Sequence, residues 1–278
     1  METFEDLDLA DFETEQDGHV GIVRLDAPPA NAHDADMVLE FQRMVETIRF
    51  DDTVRAAVLS STNETFFSSG YDIGALEEET GDHIGYASQT SKEAILKMRS
   101  TDTVFVAAVD GHCMGGGLEF ALATDFRYAG DDDEYNLGVP EVELGLIPGE
   151  AGTQLLPRYV GRSKAVEMMI RSETLTPGEA AEAGIVDELV DPGTAEAAAV
   201  EFAGEVASLP NKAVGHIKLA VNEGMEMSLY DALSHERELQ NRLFDTPGAE
   251  EGIAAFLEKR DPDFLAAELG DGAVQGDE

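Results

Sequence analysis

Base is scarce in this sequence, cysteine nearly absent, and long apolar runs missing. Eighteen Lys and Arg stand against 58 Asp and Glu, a formal charge of −40 with a pI near 4.1. Nucleic-acid binding needs Lys/Arg patches that neutralise phosphates, and a chain this acidic excludes it. The acids are dispersed through hydrophobic, helix-forming segments and are not gathered in one tail, which argues for a folded, acid-coated protein over a disordered one. Such a coat fits a salt-rich cytoplasm. In molar salt the Debye length falls to about 3 Å and self-repulsion is screened, whereas low ionic strength should destabilise the fold.

Cys113 is the only cysteine, so there is no intramolecular disulfide and no thiolate cluster for zinc. Stability has to come from packing. No stretch reaches the roughly 18–20 apolar residues of a membrane span, and the opening METFEDLDLADFETE is acidic where a signal peptide is basic. A cytoplasmic location without membrane contact is therefore expected. His19, His33, His83, His216 and His235 show no metal-ligand spacing, and no metal is expected.

What is present is a hydrophobic content of 43% in 278 residues, enough for a sizeable core and long for one simple domain of roughly 100–200 residues. His19 to Asp26 is strand-like, and the next segment puts Met37, Val38, Phe41, Met44, Val45 and Ile48 on one helical face. Ala56 to Ser60 and Val104 to Val109 read as buried strands, Ser91 to Arg99 as helix, Leu118 to Thr124 as a short helix after three glycines, and Asp125 to Ala129 as strand. From Thr153 the pattern is mainly helical. Ser163 to Arg171, Pro177 to Ala183, Thr194 to Ala207, Lys212 to Glu223, Leu229 to Phe244 and Ala249 to Lys259 are the candidates, interrupted only at Ile185 to Val190. An α/β core followed by a helical region suggests a split near residue 200.

Three segments carry chemistry. In Asp110-Gly111-His112-Cys113-Met114-Gly115-Gly116-Gly117-Leu118-Glu119 a buried strand breaks into glycines and opens a helix. Glycine lets a ligand approach the backbone, and the first N–H groups of a helix suit an anion. Glu119, on the first turn, would sit beside the same cavity. Phe66-Phe67-Ser68-Ser69-Gly70-Tyr71-Asp72-Ile73 follows a strand and could supply a second N–H, and two N–H groups converging on one oxygen make an oxyanion hole. Leu137-Gly138-Val139-Pro140-Glu141-Val142-Glu143-Leu144-Gly145-Leu146-Ile147-Pro148-Gly149 places Glu141 in an apolar stretch, where burial would raise its pKa and suit it to proton transfer. Cys113 reads as a small apolar packing residue, and His112 should face the other way along an extended chain.

Taken together, from about residue 10 to residue 265, these segments resemble the enoyl-CoA hydratase/isomerase (crotonase) superfamily. The likeness lies in order and spacing: Gly70-Tyr71-Asp72, then three glycines with Glu119 two residues on, then Pro140-Glu141, Leu144-Gly145 and Pro148-Gly149. It implies an α/β fold, a crotonase-like (ClpP/crotonase) spiral of ββα units over residues 1–200. A helical region over 201–265 would serve trimerisation and cover the active site, and 266–278 would form a flexible acidic tail. It implies an oxyanion hole from the backbone N–H groups of Tyr71 and Gly116, with Glu119 acting on water and Glu141 on the α-carbon. Ser69, Gly70, Asp72, Ile73, Gly115, Pro140 and Gly149 would surround the substrate. Phe256 and Lys259, on the closing helix, match positions that meet the CoA 3′-phosphate region, often from a neighbouring subunit.

The reaction implied is reversible hydration of a trans-2-enoyl-CoA, with CoA part of the substrate and no separate cofactor, in a homotrimer or dimer of trimers. Two glutamates favour hydration over isomerisation, because moving a proton between two carbons needs only one carboxylate. An isomerase or other enolate chemistry on an acyl-CoA stays open, as does a silent acyl-CoA-binding scaffold. Three departures from the family pattern stand out. Tyr71 replaces an alanine, Ser68-Ser69 replaces a small or cysteine-containing pair, and Glu150 stands where a small residue follows Pro148-Gly149. Glu150 is expected to point to solvent, like most acids here.

Overall fold

In the computed structural model, which describes residues 2–78 and 80–270, the chain opens as a hairpin. Strand β1 (Phe12–Asp17) pairs antiparallel with β2 (Val20–Leu25), Phe12 opposite Leu25 and Asp17 opposite Val20. Then β3 (Ala32–His33) leads into α1 (Ala35–Phe50), whose first amides are capped by the carboxylate of Asp34. Met37, Val38, Phe41, Met44, Val45 and Ile48 of α1 are all buried, as their helical spacing predicts.

Three units of similar plan follow. The first is β4 (Ala56–Ser61), β5 (Phe66–Ser68) and β6 (Gly70–Tyr71), then α2 (Ile73–Glu78) and α3 (Gly81–Arg99). The second is β7 (Val104–Val109), β8 (His112–Met114) and α4 (Gly116–Ala123). The third is β9 (Phe126–Gly130), β10 (Leu137–Gly138), a single 3-10 turn over Glu141–Leu144, and α5 (Gly152–Val160). After these come α6 (Arg162–Arg171), β11 (Thr174–Leu175), α7 (Pro177–Glu182) and β12 (Glu188–Val190). The chain continues as α8 (Ala195–Ala207), α9 (Asn211–Gly224), α10 (Leu229–Asn241), α11 (Pro247–Glu258) and α12 (Phe264–Leu269).

In each unit a long strand enters a six-stranded sheet of order β1-β2-β4-β7-β9-β12, parallel from β2 onward. A short strand then joins a second sheet of order β11-β10-β8-β5. The chain therefore steps forward as a spiral of ββα units, the α/β, crotonase-like fold that the resemblance implies. β4 and β7 are buried on both faces, which is why they read as unbroken apolar runs. One face of the large sheet packs against α1, α3 and α4 in the main core. The other meets a stripe of Ala195, Ala199, Ala203 and Ala207 on α8, where small side chains let the helix lie close on Val20, Ile22, Val58 and Val106.

A boundary at residue 200 would cut α8, so the helical region begins instead with α9 at Asn211. Residues 266–269 of the expected tail are helical, and Glu268 is tied to the buried guanidinium of Arg55 at 3.0 Å. Residues 271–278 lie outside the described residues. Helix α3 starts ten residues before the expected Ser91, and β1 has no counterpart among the expected strands. Cys113 is fully buried, and burial pushes its thiol up; His112, half-buried, turns to the other side and accepts from the Asn136 amide. No helix among the described residues is long and apolar enough to cross a membrane.

Candidate active site

The ends of the three ββα units meet at a cavity of about 390 Å³. Its floor is backbone. Strand β6 pairs with β3 in parallel, Gly70 beside Ala32 and Tyr71 beside His33. Gly70 has φ +92°, and a Cβ there would lie 3.0 Å from the Met114 carbonyl oxygen and 3.4 Å from the Gly116 nitrogen. Only glycine allows these two segments to touch backbone to backbone. Successive amides of an extended strand face opposite edges, and that of Asp72 donates to the His33 carbonyl. The Tyr71 amide therefore faces away from β3. Gly116 is the first residue of α4, where N–H groups have no acceptor within the helix and the helix dipole favours negative charge.

Four glutamates line the same cavity, Glu119, Glu141, Glu143 and Glu150, of which Glu143 is exposed. Glu119 sits on the first turn of α4, 1% exposed, and its Oε1 accepts from the amides of Glu150 at 2.8 Å and Gly152 at 2.5 Å. Burial, followed by the charge of Glu150, raises its pKa to about 8; the Gly152 and Glu150 amides pull the other way and the charge of Glu141 adds to the rise. Glu141 opens the 3-10 turn, and its Oε1 lies 3.1 Å from where a Cβ of Gly115 would be. Its Oε2 is buried without a hydrogen-bond partner. Burial pushes Glu141 up to about 7, its own backbone amide opposes this, and the charge of Glu150 contributes further. Both groups are thus raised toward neutrality, and the charge of Glu150 contributes to each.

Glu150 corrects the sequence reading. It is 5% exposed and faces inward, both carboxylate oxygens 3.1 Å from Nε2 of His33, which is itself fully buried. The loop from Pro148 to Gly152 has to turn in beneath α4 to bring its amides to Glu119, and the Glu150 side chain is carried in with it. Sequence reasoning does not find His33, because a lone histidine with no partner in sequence carries no signal; its ring meets Phe120 and the edge of Tyr71.

Ser69, Gly70, Tyr71, Ile73, Gly115, Gly116, Pro140 and Gly149 line the cavity as well. Asp72 does not; its carboxylate accepts from the Ala75 amide at 2.8 Å and starts α2. Phe256, 84% exposed, and Lys259, the left-handed cap of α11, also lie off the cavity, and Arg260 is engaged by Glu251 and Glu258. Sequence reading misses the apolar wall made by Leu76 and Ile84 with Leu144, Leu146 and Ile147. Only folding brings those elements together. Ser88 is missed too; its hydroxyl donates to the Gly149 carbonyl at 2.6 Å. Among the described residues no group of three or more His, Cys, Asp or Glu could hold a metal ion.

Residues 15–267 match the family described as enoyl-CoA hydratase/isomerase. The chain is 30% identical to the crotonyl-CoA hydratase of Syntrophomonas wolfei, covering 91% of this chain and 96% of that protein. With the short-chain-enoyl-CoA hydratase of Clostridium acetobutylicum the identity is 31%, over 91% and 97% of the two chains. Among solved structures, an enoyl-CoA hydratase from Bacillus anthracis superposes with a TM-score of 0.86 at 29% identity, over 91% of this chain and 98% of that one.

Proposed function

Because the chain belongs to the enoyl-CoA hydratase/isomerase family, we propose that it catalyses reversible addition of water to a trans-2-enoyl-CoA, giving a 3-hydroxyacyl-CoA. The observation that carries this reading is the placing of Glu119 and Glu141 on one cavity whose floor holds the Tyr71 and Gly116 segments. The thioester carbonyl accepts from the Tyr71 and Gly116 amides. Water lies between the two carboxylates; Glu119 takes one of its protons while the oxygen bonds to the β-carbon. Electrons of the double bond move toward the thioester oxygen, and the two amides hold the resulting enolate. Glu141 then delivers a proton to the α-carbon from the same side.

One proton enters the pair and one leaves: Glu141 carries a proton at the start, both groups carry one at the enolate, and Glu119 carries one at the end, so the pair begins and ends the reaction with a single proton. Both glutamates on the cavity favour hydration over isomerisation. CoA is part of the substrate, and no further cofactor takes part. Loss of the absorbance of crotonyl-CoA on adding enzyme tests the reading. Unchanged absorbance, with a 3-enoyl-CoA rearranged instead, would replace it with isomerisation.

The same proposal includes a homotrimer or dimer of trimers acting in a salt-rich cytoplasm. Its support is the apolar surface of the C-terminal helices, where Ile217, Val221, Leu229, Tyr230, Ile253 and Phe256 are each more than half exposed. Contact between copies would cover that surface and could bring Phe256 and Lys259 to a neighbour's substrate. Light scattering in molar KCl checks the assembly, and a monomer there removes this part.

A further inference from the structure

The mechanism uses two of the acids on the cavity and leaves the exposed Glu143 and the buried Glu150, the latter backed by a histidine. Glu150 lines the catalytic cavity, and the ring of His33 holds both of its oxygens at 3.1 Å. A Cβ on Gly116 would fall 2.5 Å from Oε2 of Glu150 and 2.5 Å from Cε1 of His33, so the pair presses on the backbone of the oxyanion segment. The main chain of Glu150 holds Glu119 as well, its amide 2.8 Å from Oε1. His33 is fixed in turn by Phe120 and Tyr71, at ring separations of 5.0 and 5.4 Å. Its Nδ1 is buried with no hydrogen-bond partner.

Burying a carboxylate and an imidazole costs both groups their hydration, and apolar side chains of similar volume are commonly as stable or more so. A small residue at position 150, as in the pattern this chain resembles, would avoid that cost. Packing therefore gives no reason for the pair, while its location does. The charged or titratable groups around Glu150 are His33 from β3, Glu119 from α4 and Glu141 from the 3-10 turn, with Glu143 of the same turn and Tyr71 of β6 on the same cavity. A fixed negative charge beside two carboxylates disfavours the state in which both are ionised.

We propose that Glu150, held by His33, is a positioning residue that keeps one proton on the Glu119 and Glu141 pair, in the state that hydration uses. This rests on reading Glu119 and Glu141 as the catalytic groups. The raised values of both, to which Glu150 contributes after burial, agree with it.

The test is the pH profile of kcat/KM for crotonyl-CoA hydration in molar KCl. The alkaline limb marks loss of the pair's last proton. In Glu150→Gln it should move down by roughly one pH unit, the lower end of what one nearby charge does. His33→Leu should move it likewise, because the Glu150 carboxylate then loses the donor that holds it beside the pair. His33→Gln, whose amide still donates, should keep the limb in place.

A Glu150→Gln enzyme slowed equally at every pH, its limb unmoved, shows a structural role only and overturns the proposal. A His33→Gln limb that shifts as far as that of Glu150→Gln overturns the part assigned to His33. Should the polar variants fail to fold, the apolar double variant His33→Leu/Glu150→Ala takes their place, and its limb must also fall. Near-normal turnover in Glu119→Gln or Glu141→Gln would break the functional reading itself. Loss of turnover in both, with the Glu150→Gln limb fixed, breaks only this inference.

Discussion

Nζ of Lys218, on α9, lies 2.8 Å from Oδ2 of Asp125, which also accepts from the Phe105 amide and so ties the helical region to the sheet. The same ammonium donates to the carbonyls of Met98 and Thr103, at 2.7 and 2.6 Å. Burial holds its pKa below the ordinary lysine range, opposed by Asp125. Lys218→Met leaves one partly buried carboxylate without its counter-charge and two carbonyls without the ammonium donor. The expected cost is about 3–5 kcal/mol, as for breaking other buried pairs. Thermal melts in molar KCl will show it as a lower Tm, while crotonyl-CoA turnover at low temperature persists. An unchanged Tm refutes the tie.

Glu119→Gln and Glu141→Gln should each slow hydration by at least about 10²-fold, the lower range for removal of a general acid or base. Binding of the CoA ester should change little, because neither group contacts the CoA portion in the proposed reaction. Single-turnover kinetics with a separate binding titration will distinguish the two effects. A variant that turns over almost normally removes its residue from the proton transfers.

Gly116→Ala is expected to cost both activity and stability. The new methyl would meet Glu150 Oε2 and the His33 ring at 2.5 Å, and neither can retreat within a buried wall. Shifting the amide out of line removes one of the two proposed oxyanion donors, an expected loss of about 10²–10³ in kcat. Kinetics and a melt on the same preparation suffice, and undiminished kcat counts against Gly116 as a donor.

Stability should depend on pH through Glu119. Its folded value, about 8, lies above the ordinary glutamate range, so between the two the folded chain keeps a proton that the unfolded chain has released. Unfolding is then favoured as pH rises through that window. Glu119→Gln has no such penalty, and its Tm advantage over the native protein should be absent near pH 4 and grow up to about pH 9. Melts across that range at fixed salt provide the comparison. A constant difference would mean that Glu119 ionises normally in the fold.

A formal charge of −40 predicts folding that depends on salt. Circular dichroism should show native signal in molar KCl and loss of it at low ionic strength, and identical melts in both would remove the reading of a salt-rich habitat.

The long elements were legible because their burial has a period. α1 shows its inner face in sequence, and β4 and β7 show themselves as apolar runs. The short strands β5, β8, β10 and β11 have two or three residues each, too few for any period to emerge. The first half of α3 was hidden for another reason: Gly81, Gly85, Thr90 and Ser91 are poor helix formers, and packing against α1 overrides them. In the site, Glu119 and Glu141 were readable because local glycine and proline patterns frame them. His33 and Glu150 are 117 positions apart, and nothing local marks either one for the other.

The amides of Glu150 and Gly152 converge on a single oxygen of Glu119. An ionised carboxylate is a far stronger acceptor than a protonated one. In the proposed reaction Glu119 gains and gives up a proton, and with each change the grip on this stretch of chain would slacken or tighten. Under the proposed reaction the cavity wall is fastened by the very group whose charge alternates during turnover, and its rigidity would follow the chemistry step by step.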